Sequence, residues 1–172
     1  MSTYFFTADE HYGHTNIIKY CDRPFATVEE MDVELARLHN SVVTDNDIVV
    51  HAGDFTLRRG EDAQRYVEAL NGTHIFLRGS HDQWLDKTAH EIWEKKLSGQ
   101  HIVVCHYAMR VWGLSHYNSW QLYGHSHGGL PPVGKQWDVG VDNNNYLPLS
   151  LKQVTEIMET LPDNRNFLKK AR

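Results

Sequence analysis

Side chains that bind metal ions occur in five short motifs along the chain, each directly behind a run of strand-forming residues. The motifs are Asp9-Glu10-His11, Gly53-Asp54, Gly79-Ser80-His81-Asp82, His106 and Gly124-His125-Ser126-His127. Since residues two apart in extended backbone share a face, the aspartate and histidine of the first motif can point at one centre, and so can the two histidines of the fifth. Imidazole and carboxylate together, without thiolate, are typical of manganese, iron or zinc in a catalytic rather than a structural site.

The runs that precede these motifs have the length and composition of β-strands. They cover residues 4–8, 47–51, 74–77, 102–105, 120–123 and 137–141. A single Gly-Asp is usually a turn, and a His-x-His pair alone is only moderately specific for metal. Ligands of α/β proteins gather outside the carboxyl ends of the strands, so five such motifs in these positions together predict a metal centre.

Helical patterns lie between the early strands. Apolar residues three and four apart cover 28–42 behind a capping box of Thr27 and Glu30, and a second stripe covers 63–70 before Asn71-Gly72. Residues 91–141 have the pattern of strands and loops, and Ser150 caps a last helix that Pro162 ends. Strand alternating with helix predicts an α/β fold with a largely parallel first half. We expect one domain over residues 1–172, with 163–172 a frayed basic tail.

Composition excludes several classes of protein. The chain has 172 residues, a formal net charge of −5 and 12 histidines, and the acidic balance argues against a groove for duplex nucleic acid. No apolar run approaches the roughly 20 residues of a membrane helix, and the start lacks the pattern of a signal peptide. We therefore expect a cytoplasmic protein that does not contact membranes, with Cys21 and Cys105 reduced. The sequence leaves the oligomeric state open.

The five motifs, in this order, resemble those of the calcineurin-like metallophosphoesterases, in particular the short bacterial and phage members. The motifs of that family are Asp-x-His, Gly-Asp, Gly-Asn-His-Asp or Glu, His, and Gly-His-x-His, and the resemblance covers nearly the whole chain. Four motifs match, and the third departs only at Ser80, where the family has asparagine. The resemblance implies a four-layered αββα sandwich with two central mixed β-sheets.

The resemblance also implies a role for each matching residue. The first metal would be held by Asp9, His11, Asp54 and His127. Asp54 would bridge to a second metal, which His106 and His125 would also hold, with Ser80 at the position of the family's asparagine ligand. His81 would stand beside the leaving group as general acid, and Asp82 would orient or polarise it. The expected cofactors are two divalent or trivalent ions, manganese and/or iron, with zinc, nickel or magnesium as alternatives.

The implied activity is hydrolysis of phosphodiesters, cyclic nucleotides among them, or of phosphomonoesters by metal-activated hydroxide. Two cations roughly 3.5–4 Å apart can hold both the attacking and the leaving oxygen of an in-line displacement at phosphorus. The partner would thus be a small phosphoester or nucleotide. Two alternatives stay open: a non-catalytic scaffold of the same fold that binds a nucleotide or a protein, and a metal-dependent nuclease.

Three further residues are candidates for substrate binding. His14 lies three residues after His11 and could reach a phosphate, and Arg78 could neutralise phosphate charge unless it pairs with a carboxylate. Tyr107 follows His106 and could line the pocket.

A serine hydrolase was weighed against this interpretation, because Gly124-His125-Ser126-His127-Gly128 matches Gly-x-Ser-x-Gly. That motif needs a helix after it and a later histidine. Here two prolines follow at 131 and 132, and no histidine occurs after His127.

The departure at Ser80 generates the first prediction. A serine hydroxyl is shorter than an asparagine amide and cannot both ligate a metal and donate to a phosphoryl group. Ser80→Asn should therefore raise turnover, by about 10²–10³ if the amide adds one transition-state donor, and tighten binding of the second metal. Steady-state rates and metal titration of both proteins measure this. No gain in either quantity would contradict the prediction.

Overall fold

Two mixed β-sheets and four helices make up the computed structural model, which describes residues 2–168. The strands are β1 (Tyr4–Thr7), β2 (Ile48–His51), β3 (Thr73–Phe76), β4 (Ile92–Leu97), β5 (Gln100–Cys105), β6 (Trp120–Tyr123), β7 (Gln136–Asp138) and β8 (Leu149–Ser150). The helices are α1 (Ile17–Tyr20), α2 (Val28–Val42), α3 (Glu61–Glu68) and α4 (Leu151–Thr160).

Each sheet has four strands, three of them parallel. The first sheet has the order β3-β2-β1-β8, with β8 antiparallel to β1. The second has the order β4-β5-β6-β7, with β4 antiparallel to β5. The predicted α/β sandwich is confirmed. Because the parallel strands run in the same direction, their carboxyl ends form one edge in each sheet, where the predicted ligands follow.

The main core lies between the two sheets. One buried cluster contains Phe6 of β1, Val50 of β2 and Leu77 directly after β3. Val104 and Leu122 of the second sheet pack against them, and apolar residues of α4 complete the cluster. Strand residues alternate in direction, so Phe5 and Val49 face the other way and pack with Val43 at the end of α2.

The other face of the first sheet is covered by helices. Met31 and Leu35 of α2 are buried in a second cluster with Tyr12 and Phe55. Helix α2 begins as predicted, because the side chain of Thr27 accepts a hydrogen bond from the backbone N–H of Glu30. Helix α4 has the full capping box of Ser150 and Gln153.

The two sheets meet directly behind β1. Ala8 forms a parallel bridge with Gly140, and the N–H of Val141 donates to the carbonyl of Ala8 at 3.0 Å. One residue on, the N–H of Asp9 donates to the carbonyl of Gly53 at 3.0 Å. The segments that carry the predicted ligands are therefore hydrogen-bonded to one another by their backbones.

Strand β4 is not predicted as a separate element by the sequence. Its residues Ile92–Leu97 include Glu94, Lys95 and Lys96, which are exposed, and Leu97 is the one residue of β4 that is buried. Charged edge strands lack the alternation of a half-buried strand, because an exposed edge is protected by charge. Cys21 and Cys105 are both free thiols, as expected. In the described part of the chain, no helix is long and apolar enough to cross a bilayer.

The segment expected to be a frayed tail is docked over its described part, residues 163–168. Asn164 is 4% exposed, and its amide nitrogen donates to the carbonyls of Ser115 and Ser119 at 3.0 and 2.9 Å. Its side-chain oxygen accepts from the N–H of Lys135 at 2.7 Å. The prediction of fraying is wrong here because a buried amide with three backbone partners fixes the segment. The basic residues Lys169, Lys170 and Arg172 lie outside the described residues.

Asn164 also supplies a test of this docking. Asn164→Ala should lower the free energy of unfolding by about 1–3 kcal/mol, because it leaves buried carbonyls and an N–H without partners. Asn166→Ala, at an exposed position with one side-chain hydrogen bond to Ser115, is the matched control and should change stability by less than about 0.5 kcal/mol. Urea denaturation measures both. Equal stability of the two variants would mean that the segment is not held by Asn164.

Candidate metal centre

The predicted metal ligands come together in two clusters. Asp9, His11 and His127 form the first ligand cluster, in which one ligand atom of each residue lies within 4.8 Å of the others. Under the same criterion, Asp54, His106 and His125 form the second ligand cluster. These are the residues that the sequence assigns to two metals.

Asp54 lies between the two ligand clusters. Its Oδ2 is 3.3 Å from Nε2 of His106 and 3.8 Å from Nε2 of His11, which belong to different clusters. Nε2 of His81 is 3.9 Å from the same oxygen. One carboxylate therefore faces imidazoles from both sides, which is the position that a bridging ligand requires.

Three buried ligand atoms have no hydrogen-bond partner among the described residues. They are Oδ1 of Asp9 and Nε2 of His11 in the first cluster and Nε2 of His106 in the second. A buried polar atom without a partner costs free energy, so such atoms are rare in native proteins. An imidazole nitrogen and a carboxylate oxygen are suitable ligands for divalent cations, and the residues thus fit a pair of bound metals.

Five of the predicted ligands have left-handed backbone conformations. Their φ angles are 59° at Asp9, 55° at His11, 58° at Asp54, 67° at His125 and 46° at His127. Non-glycine residues rarely adopt positive φ, and each such residue costs on the order of 1–3 kcal/mol. Strain of this kind collects at functional sites, and here it turns the chain sharply behind the strands so that the side chains point inward.

Glycines of the motifs let the carboxylates approach neighbouring backbone. A Cβ on Gly79 would lie 2.3 Å from Oδ1 of Asp54, and one on Gly124 would lie 2.7 Å from Oδ2 of Asp9. Any larger residue at either position would collide with a ligand, which explains the glycines that begin the third and fifth motifs.

Backbone groups fix the ligands of the second cluster. Nδ1 of His106 lies 2.9 Å from the carbonyl oxygen of Ala52. Because a carbonyl oxygen can only accept, Nδ1 carries the proton and Nε2 keeps a lone pair directed at Asp54. Metal-binding histidines are usually held in this way.

Asp82 has a different role from the predicted one. The sequence predicts that it orients His81, but its buried carboxylate accepts from the N–H groups of Asp54 at 2.6 Å and of Phe55 and Gly79 at 2.9 Å. It therefore fixes the strained turn that carries Asp54. These multiple donors oppose the effect of burial, which raises the pKa of Asp82.

His81 and Ser80 both contact Asp54 from the solvent side. The N–H of His81 donates to Oδ1 of Asp54 at 2.8 Å, and the hydroxyl of Ser80 donates to Oδ2 at 3.0 Å. The side chain of His81 is 43% exposed, and its ring centroid is 5.3 Å from that of His11. The imidazole of His81 thus lies on the solvent-exposed side of the centre.

The three candidate substrate residues have different positions. Nδ1 of His14 lies 3.4 Å from Nδ1 of His11, beside the first cluster. The exposed ring of Tyr107 is 4.8 Å from the rings of His106 and His125, beside the second. The guanidinium of Arg78 donates to the carbonyls of Leu85 and Asp86. The side chain of Arg78 therefore stabilises the loop that contains Leu85 and Asp86.

Burial and like charges shift the proton affinities of the ligands. Burial, with the charges of Asp138 and Asp54, raises the pKa of Asp9 well above its usual value. Burial lowers the pKa of His11 to about 3. Burial also opposes ionisation of Asp54, but the neighbouring imidazole of His106 and the N–H of His81 outweigh it and hold the pKa of Asp54 below its usual value. Positive charge from a bound cation would favour the ionised form of Asp9, and the lowered pKa of His11 keeps it the neutral imidazole that a metal binds.

Sequence reasoning missed two residues behind the first ligand cluster. Oδ2 of Asp142 lies 2.7 Å from Nδ1 of His127, and buried Arg23 forms an ion pair with Asp142 at 2.7 Å. Arg23 lies in a loop with no motif around it. Asp142 directly follows the last predicted strand run, residues 137–141, and lies outside all five motifs.

Histidines behind the first motif form a second group that was missed. Nδ1 of His51 lies 2.7 Å from Oε1 of Glu10, and Nε2 of His51 lies 3.0 Å from Nδ1 of His74. Burial raises the pKa of Glu10 to about 7 and lowers that of His51 to about 3. Both shifts favour the neutral forms, so this group is a hydrogen-bonded buried network beneath the site.

A cavity of about 480 Å³ lies away from both ligand clusters. It is lined by residues 108–112 and by Tyr123, Leu130 and Arg165 among others, and none of the predicted ligands borders it. Its size is that of a ligand pocket, but the chemistry of the site lies elsewhere.

The fold and the site define an α/β sandwich protein with two linked clusters of histidine and aspartate. The chain is 34% identical over 168 residues to the uncharacterized protein MJ1445 of Methanocaldococcus jannaschii, in an alignment that covers 92% of this chain and 93% of that protein. The chain belongs to the same family as that protein. No family model matches the chain.

Two solved structures share parts of this architecture. The protein of unknown function AQ665 from Aquifex aeolicus aligns with a TM-score of 0.72 and 20% identity over 91% of this chain and 100% of that chain, which shows a common fold. YfcE, a phosphoesterase from E. coli, aligns with a TM-score of 0.42 and 19% identity over 80% of this chain and 75% of that chain. A likeness this weak says nothing about function.

The raised pKa of Asp9 predicts how stability depends on pH in the metal-free protein. A carboxyl group with a raised folded-state pKa stabilises the fold below its unfolded pKa, and that stability is lost as pH rises through the folded-state pKa. Asp9→Asn removes this loss and suits a left-handed residue. With chelator present, the variant should be more stable than the wild type by at least about 1 kcal/mol at pH 8, and by less at pH 5.

Chemical denaturation of both proteins at the two pH values measures this difference. Asp45→Asn at an exposed position is the matched control and should not change the pH dependence. If metal-free wild type proved the more stable protein at pH 8, the electrostatic description of the site would be wrong.

Proposed function

We propose that this protein is a dinuclear-metal phosphoesterase of the calcineurin-like superfamily. The observation that carries the proposal is the position of Asp54 between two ligand clusters in which three buried ligand atoms have no hydrogen-bond partner within residues 2–168. The order of the five motifs supports the same class. Asp9, His11 and His127 would hold one cation, His106 and His125 the other, and Asp54 both.

The residues around this centre divide the work of hydrolysis. When bound, the two cations would lower the pKa of water and neutralise phosphate charge. Asp54 keeps the two clusters at a fixed separation because Asp82 holds its backbone. His81, exposed beside Asp54, is placed to donate a proton to the departing alkoxide. The cations we expect are manganese or iron, since both suit mixed imidazole and carboxylate ligands.

A small phosphodiester is the substrate class that these residues favour. A general acid helps most when the leaving group is a poor one, and an alkoxide or sugar oxygen leaves poorly without a proton. The open side of the site presents His81, His125 and Tyr107, all exposed, so an ester can reach the centre from solvent. Phosphomonoesters remain within the reach of the same chemistry.

The proposal predicts how the effect of His81→Ala depends on the leaving group. Mn²⁺-loaded wild type should hydrolyse bis-p-nitrophenyl phosphate and a dialkyl phosphodiester, in which only an alkoxide can leave. His81→Ala should lose about 10²–10⁴ in rate with the dialkyl ester, and much less when p-nitrophenolate leaves, because that anion departs unprotonated. Rates with each substrate, followed by product analysis, measure the two losses. His90→Ala, at an exposed histidine, is the control.

Three outcomes would contradict parts of this proposal. If the hydrolysis rate of His81→Ala fell equally with both leaving groups, His81 would not be the proton donor. Stoichiometric metal with no hydrolysis by wild type or by Ser80→Asn would favour a non-catalytic scaffold of the same fold, and cleavage confined to labelled DNA would favour a nuclease.

A further inference from the structure

The guanidinium of Arg23 lies fully buried behind the first ligand cluster. Its side chain is 0% exposed, and it binds both oxygens of Asp142: Nε donates to Oδ1 at 2.7 Å and Nη2 to Oδ2 at 2.8 Å. A two-point ion pair of this kind fixes the direction of a carboxylate as well as its charge. Burial opposes ionisation of Asp142, but the hydrogen bonds of His127 and Arg23 hold its pKa below the usual value.

The same guanidinium also binds the turn that carries Asp9 and His11. Nη2 donates to the carbonyl of Asp9 at 2.7 Å, and Nη1 donates to the carbonyl of Glu10 at 2.9 Å. Both ligands in this turn have positive φ. Two charge-assisted hydrogen bonds to its carbonyls hold the turn in a conformation that the backbone would otherwise avoid.

Asp142 in turn fixes the orientation of His127, the third ligand of the first cluster. Because Asp142 is an acceptor, Nδ1 of His127 carries the proton, and Nε2 is left as the ligand atom. The histidine is thereby fixed in tautomer and in ring direction. Arg23 thus supports the first ligand cluster at three points: the carbonyl of Asp9, the carbonyl of Glu10 directly before His11, and, through Asp142, the ring of His127.

We propose that Arg23 is the positioning residue for the first metal, and that it acts selectively on that metal. This inference rests on the proposed function. The second ligand cluster has supports of its own, the carbonyl of Ala52 behind His106 and the carboxylate of Asp82 behind Asp54. Apart from the shared Asp54, the two ligand clusters are therefore supported by separate parts of the protein.

Lysine cannot replace Arg23 in this role. The guanidinium offers five N–H donors in a fixed plane, and four of its hydrogen bonds go to oxygens in two different segments. A lysine ammonium keeps the charge but places three donors on one atom. Arg23→Lys therefore removes the geometry and retains the charge, which separates positioning from simple charge balance.

The test measures metal affinity in backgrounds that retain one site each. His125→Ala leaves the first ligand cluster intact, and His127→Ala leaves the second. Adding Arg23→Lys should weaken Mn²⁺ binding about 10- to 100-fold in the His125→Ala protein and leave it unchanged in the His127→Ala protein. Isothermal titration of the metal-free full chain gives the affinities. Arg37→Lys, at an exposed arginine paired with Glu34, is the matched control.

A second measurement needs no metal. Nitrogen NMR of the histidine rings should show the Nδ1–H tautomer of His127 in the metal-free wild type and a mixture in Asp142→Ala. If Asp142 only stabilised the fold, its removal would not change the ring-nitrogen signal of His127.

The outcomes separate this inference from the proposed function. Unchanged affinity in the His125→Ala background, or equal weakening in both backgrounds, would overturn the selective role of Arg23. If Arg23→Lys does not fold, Asp142→Asn replaces it, and wild-type affinity for the first metal then overturns the proposal. If metal binding depends on Arg23 but the protein hydrolyses no phosphoester, the positioning role of Arg23 stands and the proposed phosphoesterase activity is wrong.

Discussion

The structure depends on the burial of several carboxylates around one point where two sheets end. Asp9, Asp54, Asp82 and Asp138 are all buried there, and burial, together with repulsion from Asp138 and Asp54, raises the pKa of Asp9. Arg23 is the one lysine or arginine that is buried within residues 2–168. One guanidinium does not balance this charge. Bound cations would supply the positive charge that the buried carboxylates require and that the side chains around them do not provide.

The same point is where the backbone carries its strain. Five ligands adopt left-handed conformations, and such conformations persist only where the surroundings fix them. The surroundings here are the bridge from Ala8 to Gly140, the carboxylate of Asp82 and the guanidinium of Arg23. The packed core between the sheets therefore supports the site, because it positions the groups that stabilise the left-handed turns.

The sequence predicts which histidines and aspartates come together, because each lies in a short motif directly after a strand whose own pattern is clear. It also predicts helices such as α2, in which spacing and cap agree. It does not predict Arg23, since a buried arginine in a loop looks like any solvated arginine until its partners, 119 residues away in the case of Asp142, are brought to it. The hydrogen bonds of Asp82 to the N–H groups of Asp54 and Phe55 are not predicted either, because a carboxylate three residues after a glycine gives no sign of which N–H groups will surround it.

The ligand clusters combine residues from both ends of the chain, and this has a consequence for how the protein matures. A chain emerging from the ribosome presents Asp9, His11 and Asp54 long before His127 exists. His11, Asp54 and His81 all precede the second sheet, but neither of the two ligand clusters is complete until that sheet has packed against the first. A pair of cations could therefore be held only after both sheets have formed.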